Sequence, residues 1–268
     1  MLILILDIAG RKVDTIIIIM ICKLCLQEKP LLKKSHIIPE FMHRGLFDDK
    51  HALYRINFND YQRSTKLYTG EYESDILCAE CDNVLIGHKY EDYSSVILYG
   101  GKLPNDKNIF FQNRITPDGL KLTYAKGIDY KKFKLFLLSI LWRSSISSRP
   151  FFENINLGPY EEKIRKMILI GDPKDPLDFP CIISTCKNLK DLPDGFIGQP
   201  KKCRIDNLLS YAFFIGGFLY IFLISKAKKP AWVSEAVINK KDEIYIIHME
   251  KENAKKMINH FMQIELVK

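Results

Sequence analysis

The sequence predicts an α+β protein with a small N-terminal unit and a larger mixed domain after it. Three observations support this prediction. The chain has 268 residues, of which 47% are hydrophobic. This is enough for one hydrophobic core together with one small module that a metal ion holds together. Two C-x-x-C pairs lie in its first third, at Cys22/Cys25 and Cys78/Cys81. Beyond residue 100, strand patterns and amphipathic helix patterns follow one another, as in a mixed domain.

Residues 1–19 form a segment of uncertain role. Apolar runs at residues 2–6 and 16–20 flank Asp7, Arg11, Lys12 and Asp14. Neither run reaches the roughly 20 apolar residues of a membrane span, and no basic segment precedes an apolar one as in a signal peptide. The runs predict a β-hairpin around residues 9–12. A start codon assigned too early is the alternative, because Met20 lies just before the first cysteine.

Residues 20–98 are expected to form one module. Residues 53–58 alternate between apolar and polar side chains, which predicts a strand. Residues 60–74 are polar, and Gly70 is a turn signal. The stretch from Cys81 to Tyr93 is rich in helix-forming residues, so a helix is expected directly after the second cysteine pair.

Residues 99–268 are expected to form the α+β domain, whose task the sequence does not indicate. Three amphipathic helices are predicted: one with its apolar side chains at residues 133–141, one that begins at Gly158 and Pro159, and one with its apolar stripe at residues 254–262. Strands are expected at residues 181–185, 208–225, 232–238 and 243–249. The apolar run 211–224 is too short for a membrane span and predicts two buried strands joined at Gly216-Gly217.

The spacing of four cysteines predicts a metal site. Two C-x-x-C turns can each direct two thiolates at one ion, and Cys22, Cys25, Cys78 and Cys81 together supply the tetrahedral set that zinc prefers. In a chain without secretion signals, such pairs favour metal over disulfides. The other three cysteines lack this spacing and are expected to be buried small side chains: Cys181, Cys186 and Cys203.

Between the two pairs stands Ser35-His36-Ile37-Ile38-Pro39, and Leu77 and Asp82 flank the second pair. This order resembles the HNH endonuclease superfamily, in particular bacterial proteins with the pattern C-x-x-C, S-H-I-I-P, L-C-x-x-C-[DE], followed by a Glu that Glu91 supplies. The resemblance covers roughly residues 20–95. It implies a zinc-bearing treble-clef module of ββα-metal type.

The resemblance also implies a reaction. The histidine that matches His36 deprotonates a water molecule that attacks a phosphodiester, and a divalent cation, Mg²⁺ or Mn²⁺, assists. Asp82 and Glu91 are the acidic candidates for this site, with Asp82 a candidate ligand of the catalytic cation. The zinc on the four cysteines is then structural. Arg44 is a weak candidate for a phosphate contact, with a surface salt bridge as the alternative.

Three features leave alternatives open. Ser35 stands where many members of the superfamily carry a metal-binding Asp or His, and a hydroxyl is a weak ligand for a hard cation. Asp82 is either a metal ligand or a favourable charge at a helix N-terminus. Glu91 either faces solvent or orients His36 or Arg44. On an ideal α-helix, Asp82 and Glu91 lie on opposite sides, so no simple metal triad is expected.

Net charge extends this picture to partners. A charge of +8 is compatible with nucleic acid, and DNA is the expected substrate, with RNA as the alternative. Basic groups at residues 131–134, 201–204 and 226–229 are either a nucleic-acid path or solvated faces. A cytoplasmic location without a membrane is expected, a homo-oligomer is left open, and a defence role is suggested by analogy. The competing interpretation is a catalytically inactive zinc module that binds nucleic acid or protein.

Overall fold

Short strands characterise the N-terminal region. The computed structural model describes residues 5–6, 12–13, 19–43, 46–47, 53–56, 64–67, 70–100, 109–187, 189 and 196–262. The strands described before residue 80 are β1 (Ile5–Leu6), β2 (Lys12–Val13), β3 (Ile19–Ile21), β4 (Glu28–Pro30), β5 (Ser35–His36), β6 (Leu53–Ile56), β7 (Ser64–Leu67) and β8 (Tyr72–Glu73). They pair antiparallel as β1 with β2, β3 with β4, β5 with β8 and β6 with β7.

The N-terminal hairpin is confirmed in part. Ile5 pairs with Val13 and Leu6 with Lys12 in antiparallel register, while the residues between the two strands lie outside the described ones. Of the second apolar run, the described residues Ile19 and Met20 belong to β3, which pairs with β4 across the first cysteine turn. The strand expected at residues 53–58 is confirmed for Leu53–Ile56.

The helical elements comprise 3₁₀ turns, one π-helix and five α-helices among the described residues. A 3₁₀ turn spans Glu40–His43, and further 3₁₀ turns at Pro150–Phe152 and Gly158–Tyr160 precede helical segments. A π-helix (Glu80–Glu91) runs directly into α1 (Asp92–Tyr99). The later helices are α2 (Tyr130–Ile146), α3 (Glu161–Ile170), α4 (Ala231–Ala236) and α5 (Lys251–Met262). Among the described residues, no helix is long and apolar enough to cross a bilayer.

A seven-stranded sheet lies in the part of the chain after residue 100. Its strands are β9 (Phe110–Ile115), β10 (Lys121–Lys126), β11 (Cys181–Thr185), β12 (Lys201–Ile205), β13 (Leu208–Ile215), β14 (Phe218–Leu223) and β15 (Glu243–His248). The spatial order is β12-β13-β14-β11-β15-β10-β9, and within it β11 and β15 run parallel. The predicted buried hairpin is confirmed, because β13 and β14 meet at Gly216 and Gly217, both with positive φ.

The predicted helices are confirmed in position. Asp129 caps α2 by accepting a hydrogen bond from the backbone N–H of Lys132 at 2.9 Å. Pro159 stands in the 3₁₀ turn that leads into α3. The strand expected at residues 232–238 is wrong, since residues 231–236 form α4. Val233 and Ala236 are buried one turn apart while Trp232 is 40% exposed, which is a helical period.

One hydrophobic cluster contains side chains from both predicted units. It includes Ile86 and Tyr90 of the π-helix together with Phe136 and Trp142 of α2. The Tyr90 hydroxyl also donates to the carbonyl of Ile168 in α3 at 3.2 Å. The division at residue 98 stays a prediction. The shared packing gives the π-helix a fixed partner in α2, and that contact positions the site described next.

Candidate metal centre and adjoining polar cluster

The four predicted zinc ligands meet at one point. Cys22 and Cys25 lie in the turn between β3 and β4, Cys78 precedes the π-helix, and Cys81 lies in its first turn. Their sulfur atoms all lie within 4.8 Å of one another, and all four cysteines are free thiols. The backbone N–H of Cys78 donates to Cys22 Sγ at 3.4 Å, a contact typical of a thiolate-bearing turn. The sequence therefore predicted this cluster correctly.

These residues fit a zinc ion. Zinc held by four thiolates at about 2.3 Å requires sulfur separations of roughly 3.8 Å, and a small contraction of the cluster achieves this. A hydrogen bond from Cys81 together with three backbone contacts lowers the pKa of Cys22 to about 4. Burial raises the pKa of Cys78, whereas the hydrogen bond to Cys22, and then burial, raises the pKa of Cys81. One thiolate is thus already favoured. A bound cation favours deprotonation of the other thiols.

Ion pairs and hydrogen bonds fix the cysteine turns to the rest of the chain. Lys29 beside the first turn pairs with Glu80 beside the second. The Arg165 guanidinium of α3 binds the carbonyl of the fully buried Leu24 and is held in a bidentate pair by Glu162. The metal centre is therefore attached to the helical layer, which supports its geometry from outside the ligand set.

The helix after the second cysteine pair is confirmed, but its type differs from the expectation. Residues 80–91 form a π-helix, and the N–H of Asp92 still bonds to the carbonyl of Gly87, five residues earlier. Asp82 and Glu91 are nine residues apart, which is roughly 2.5 turns of an α-helix but close to two full turns at roughly 4.4 residues per turn. The expectation of opposite sides assumed an ideal α-helix, which this segment is not, and Glu91 lies close enough to Asp82 to raise its pKa.

Arg143 of α2 connects the polar residues around this helix. Its side chain is 1% exposed and donates to Glu91 Oε1 at 2.6 Å and to the backbone carbonyl of His36 at 2.6 Å. It also donates to the backbone carbonyl of Ser139 at 3.3 Å. A single guanidinium thus joins β5, the π-helix and α2, as its fork of donors allows. Glu91 thus pairs with Arg143, a partner that the sequence did not indicate.

His36 lies at the edge of this cluster with its ring mostly removed from water. Burial lowers its pKa below the usual 6.5, and the nearby Arg143 charge lowers it further, while Glu40 and Glu91 act in the opposite direction. The imidazole is therefore neutral at physiological pH. A neutral imidazole can accept a proton, which is the property a general base requires.

Asp82 faces the same cluster. Burial raises its pKa to about 6, and Glu91 also raises it, whereas Arg143 lowers it. The neighbouring Ser35 is fully buried, and its hydroxyl favours the ionised form of Asp82 even though no hydrogen bond of ordinary geometry joins them. A partly desolvated carboxylate whose pKa is shifted by nearby charges is typical of functional sites.

The structure does not bring all the predicted residues into one ligand set. In the part of the chain described, the four cysteines are the group of three or more His, Cys, Asp or Glu side chains with converging ligand atoms. His88 is exposed and pairs with Asp92 at 2.9 Å, outside the cluster. Arg44 and His51 lie outside the described residues. Cys181, Cys186 and Cys203 are free thiols away from the metal centre.

Sequence reasoning missed Arg143. A weak signal was present, because this arginine continues the buried side of a helix whose preceding residues are almost all apolar, and a buried charge requires a partner. The partner could not be identified, since His36 lies 107 residues earlier in the chain.

Comparison with known proteins gives no match to a family model, to a curated protein or to a solved structure. The likeness to the HNH superfamily therefore depends on the order and placement of the chain's own residues.

Proposed function

We propose that this chain is a metal-dependent nuclease that hydrolyses phosphodiester bonds, with DNA as the expected substrate and RNA as the alternative. The observation that carries the proposal is the arrangement around Arg143. This arginine binds Glu91 and the backbone of His36, and its charge acts on Asp82, one residue from the cysteine cluster. The site thus contains a neutral histidine and a half-buried carboxylate, and the carboxylate directly follows the cysteine turn that would hold zinc.

His36 acts as the general base. It takes a proton from a water molecule, the water oxygen attacks the phosphorus atom, and the bond to the leaving oxygen breaks. The lowered pKa of His36 keeps the imidazole unprotonated at neutral pH. General-base catalysis of this kind contributes about 10²- to 10⁴-fold to the rate.

Asp82 is the side chain that would hold the catalytic cation. Mg²⁺ is commonly bound by one or two carboxylates together with water and substrate phosphate oxygens, so a single carboxylate is compatible with it. When bound, Mg²⁺ or Mn²⁺ neutralises charge on the phosphate. Glu91 has a positioning role, because its carboxylate is already engaged by Arg143 at 2.6 Å.

The zinc on Cys22, Cys25, Cys78 and Cys81 has a structural role in this proposal. Four protein ligands leave no open position for a substrate, which distinguishes a structural zinc site from a catalytic one. The ion would fix the start of the π-helix and hence the position of Asp82.

A second function is favoured by one observation. A buried Ser35 stands where the resemblance implies a metal ligand, and the carboxylate of Glu91 is already paired with Arg143. A module that binds without turnover could therefore use the same fold. Such a module would bind nucleic acid in a salt-dependent manner and would not cleave it with any divalent cation.

Cleavage of supercoiled plasmid and of RNA in Mg²⁺ or Mn²⁺ tests the proposed function. Asp82→Asn should abolish metal-dependent cleavage, because an amide binds a hard cation poorly. Asp92→Asn is the matched control. Asp92 begins α1, which continues the π-helix that carries Asp82, but its side chain is exposed and pairs with His88. No cleavage of either substrate by the wild-type chain, or equal cleavage by Asp82→Asn, would contradict the proposal.

A further inference from the structure

A cavity next to α3 is the feature from which a second site can be inferred. A cavity of about 590 Å³ is bounded by α3, by residues 172–179 and by residues 225–229 after β14. Five lysines and two aspartates line it, so its walls carry a net positive charge. This volume is within the range of small-molecule sites, and it exceeds that of a surface dimple between side chains.

Two of the five lysines are available for a ligand. Lys174 pairs with Asp172 at 2.7 Å, Lys166 pairs with Glu162 at 3.4 Å, and Lys229 donates to the carbonyl of Ser225. Lys163 of α3 and Lys226 after β14 also line the cavity, and neither forms an ion pair with an acidic side chain among the residues that the structure describes. The Lys163 ammonium lies over the Tyr160 ring, 5.8 Å from its centroid. Ammonium groups without an acidic partner that line one cavity favour an anion.

The cavity also has an apolar wall. Tyr160 and Phe179 meet edge to face with ring centroids 5.6 Å apart, and both line the space. Ile170 is 72% exposed and Leu177 is 38% exposed, so two large apolar side chains remain open to solvent at this position. Apolar surface beside cationic side chains suits a ligand with a flat apolar part and an anionic part.

We propose that this cavity binds a nucleoside phosphate, with its phosphate on Lys163 and Lys226 and its base against the wall formed by Tyr160, Phe179, Ile170 and Leu177. The ligand is either a free nucleotide or one nucleotide of a strand, since both present the same chemistry. Burial also lowers the pKa of Lys229, which marks this part of the wall as partly removed from water, where an anion is bound more strongly. The site is independent of the proposed nuclease function.

Calorimetric titration of the full chain in Mg²⁺-free buffer tests this proposal. ATP is the free-nucleotide probe, and a ten-residue oligothymidylate is the strand probe. Adenosine and tripolyphosphate present the two halves of ATP separately. The test variant is Lys163→Ala with Lys226→Ala. The matched control is Lys255→Ala with Lys256→Ala, which removes the same charge from two exposed positions on α5.

ATP should bind the wild-type chain and His36→Ala equally, which separates this site from the nuclease proposal. The Lys163/Lys226 pair should weaken ATP roughly ten-fold while the control pair leaves it unchanged. Adenosine and tripolyphosphate should each bind more weakly than ATP. If the oligonucleotide alone loses affinity in the test pair, the nucleotide belongs to a strand. The proposal is overturned if neither probe responds to the test pair, if both lysine pairs weaken binding equally, or if tripolyphosphate binds as tightly as ATP.

Discussion

Replacing Arg143 by Met should destabilise the chain more than any exposed charge substitution. The change keeps a long apolar side chain in the helix but removes the donors to Glu91, His36 and Ser139. Arg143 is 1% exposed and the Glu91 side chain 19% exposed, so the abandoned carboxylate stays largely in a low-dielectric surrounding. Breaking a buried pair in this way costs about 3–5 kcal/mol of unfolding free energy. Because Glu91 is partly exposed, the expected loss lies at the lower end of this range, at about 3 kcal/mol.

Urea unfolding of zinc-loaded protein, followed by circular dichroism, measures this loss. Arg143→Lys should recover only part of the stability, because one ammonium group cannot reach acceptors on three separate elements. Arg204→Met is the control. Its guanidinium is exposed and donates to the carbonyl of Asn207, three residues away, so its loss should stay within about 0.5 kcal/mol.

A double variant separates the ion pair from simple loss of packing. Glu91→Gln removes the charge that Arg143→Met leaves unpaired, so the two changes together should cost less than the sum of the single changes by about 1–3 kcal/mol. A loss below about 1 kcal/mol for Arg143→Met, or strict additivity of the two changes, would refute the reasoning that this arginine holds the cluster together.

Three further outcomes are expected. Cys81→Ser should lower zinc content below one ion per chain by mass spectrometry, because three thiolates leave the tetrahedral set incomplete. Gly70→Ala should lower the free energy of unfolding in urea, since a Cβ there would lie 2.3 Å from the His43 imidazole; an unchanged value would contradict this close approach. Burial lowers the pKa of His43 to about 4, so below pH 6.5 the unfolded chain takes up a proton that the folded chain refuses, and stability falls by roughly 2 kcal/mol between pH 7 and pH 5. The raised pKa of Asp82 changes stability in the opposite direction over this pH range, and it does so in both proteins. The test is therefore the difference between the two pH profiles of unfolding free energy, because His43→Gln should lack the fall that His43 causes in the wild type.

The sequence was informative where one physical pattern dominates. The C-x-x-C spacing has one common explanation, and the four sulfur atoms do converge. The helical period at residues 133–141 and the Gly216-Gly217 signal are local patterns that fix α2 and the β13–β14 hairpin. The short helix at residues 231–236 was mistaken for a strand because a six-residue segment offers too few periods to separate the two.

The membership of the candidate site stays a prediction, and its arrangement could not be predicted from the sequence. His36, Asp82 and Glu91 were identified from the order of motifs, yet their relation depends on a π-helix, which no local propensity predicts. Within this π-helix, Ile86 and Tyr90 pack into the hydrophobic core, which are tertiary contacts that the local sequence does not reveal. Arg143 bonds to Glu91 and to the backbone of His36, and the packing of α2 against the π-helix brings it there.

The most direct test of the account measures zinc content and plasmid nicking on the same preparations of wild type and His36→Ala. About one zinc per chain is expected in both, because His36 is not among the four thiolate ligands. Nicking in Mg²⁺ or Mn²⁺ is expected in the wild type and should fall by about 10²- to 10⁴-fold in the variant. Equal nicking by both proteins, or a wild-type chain that binds no zinc, would contradict the account.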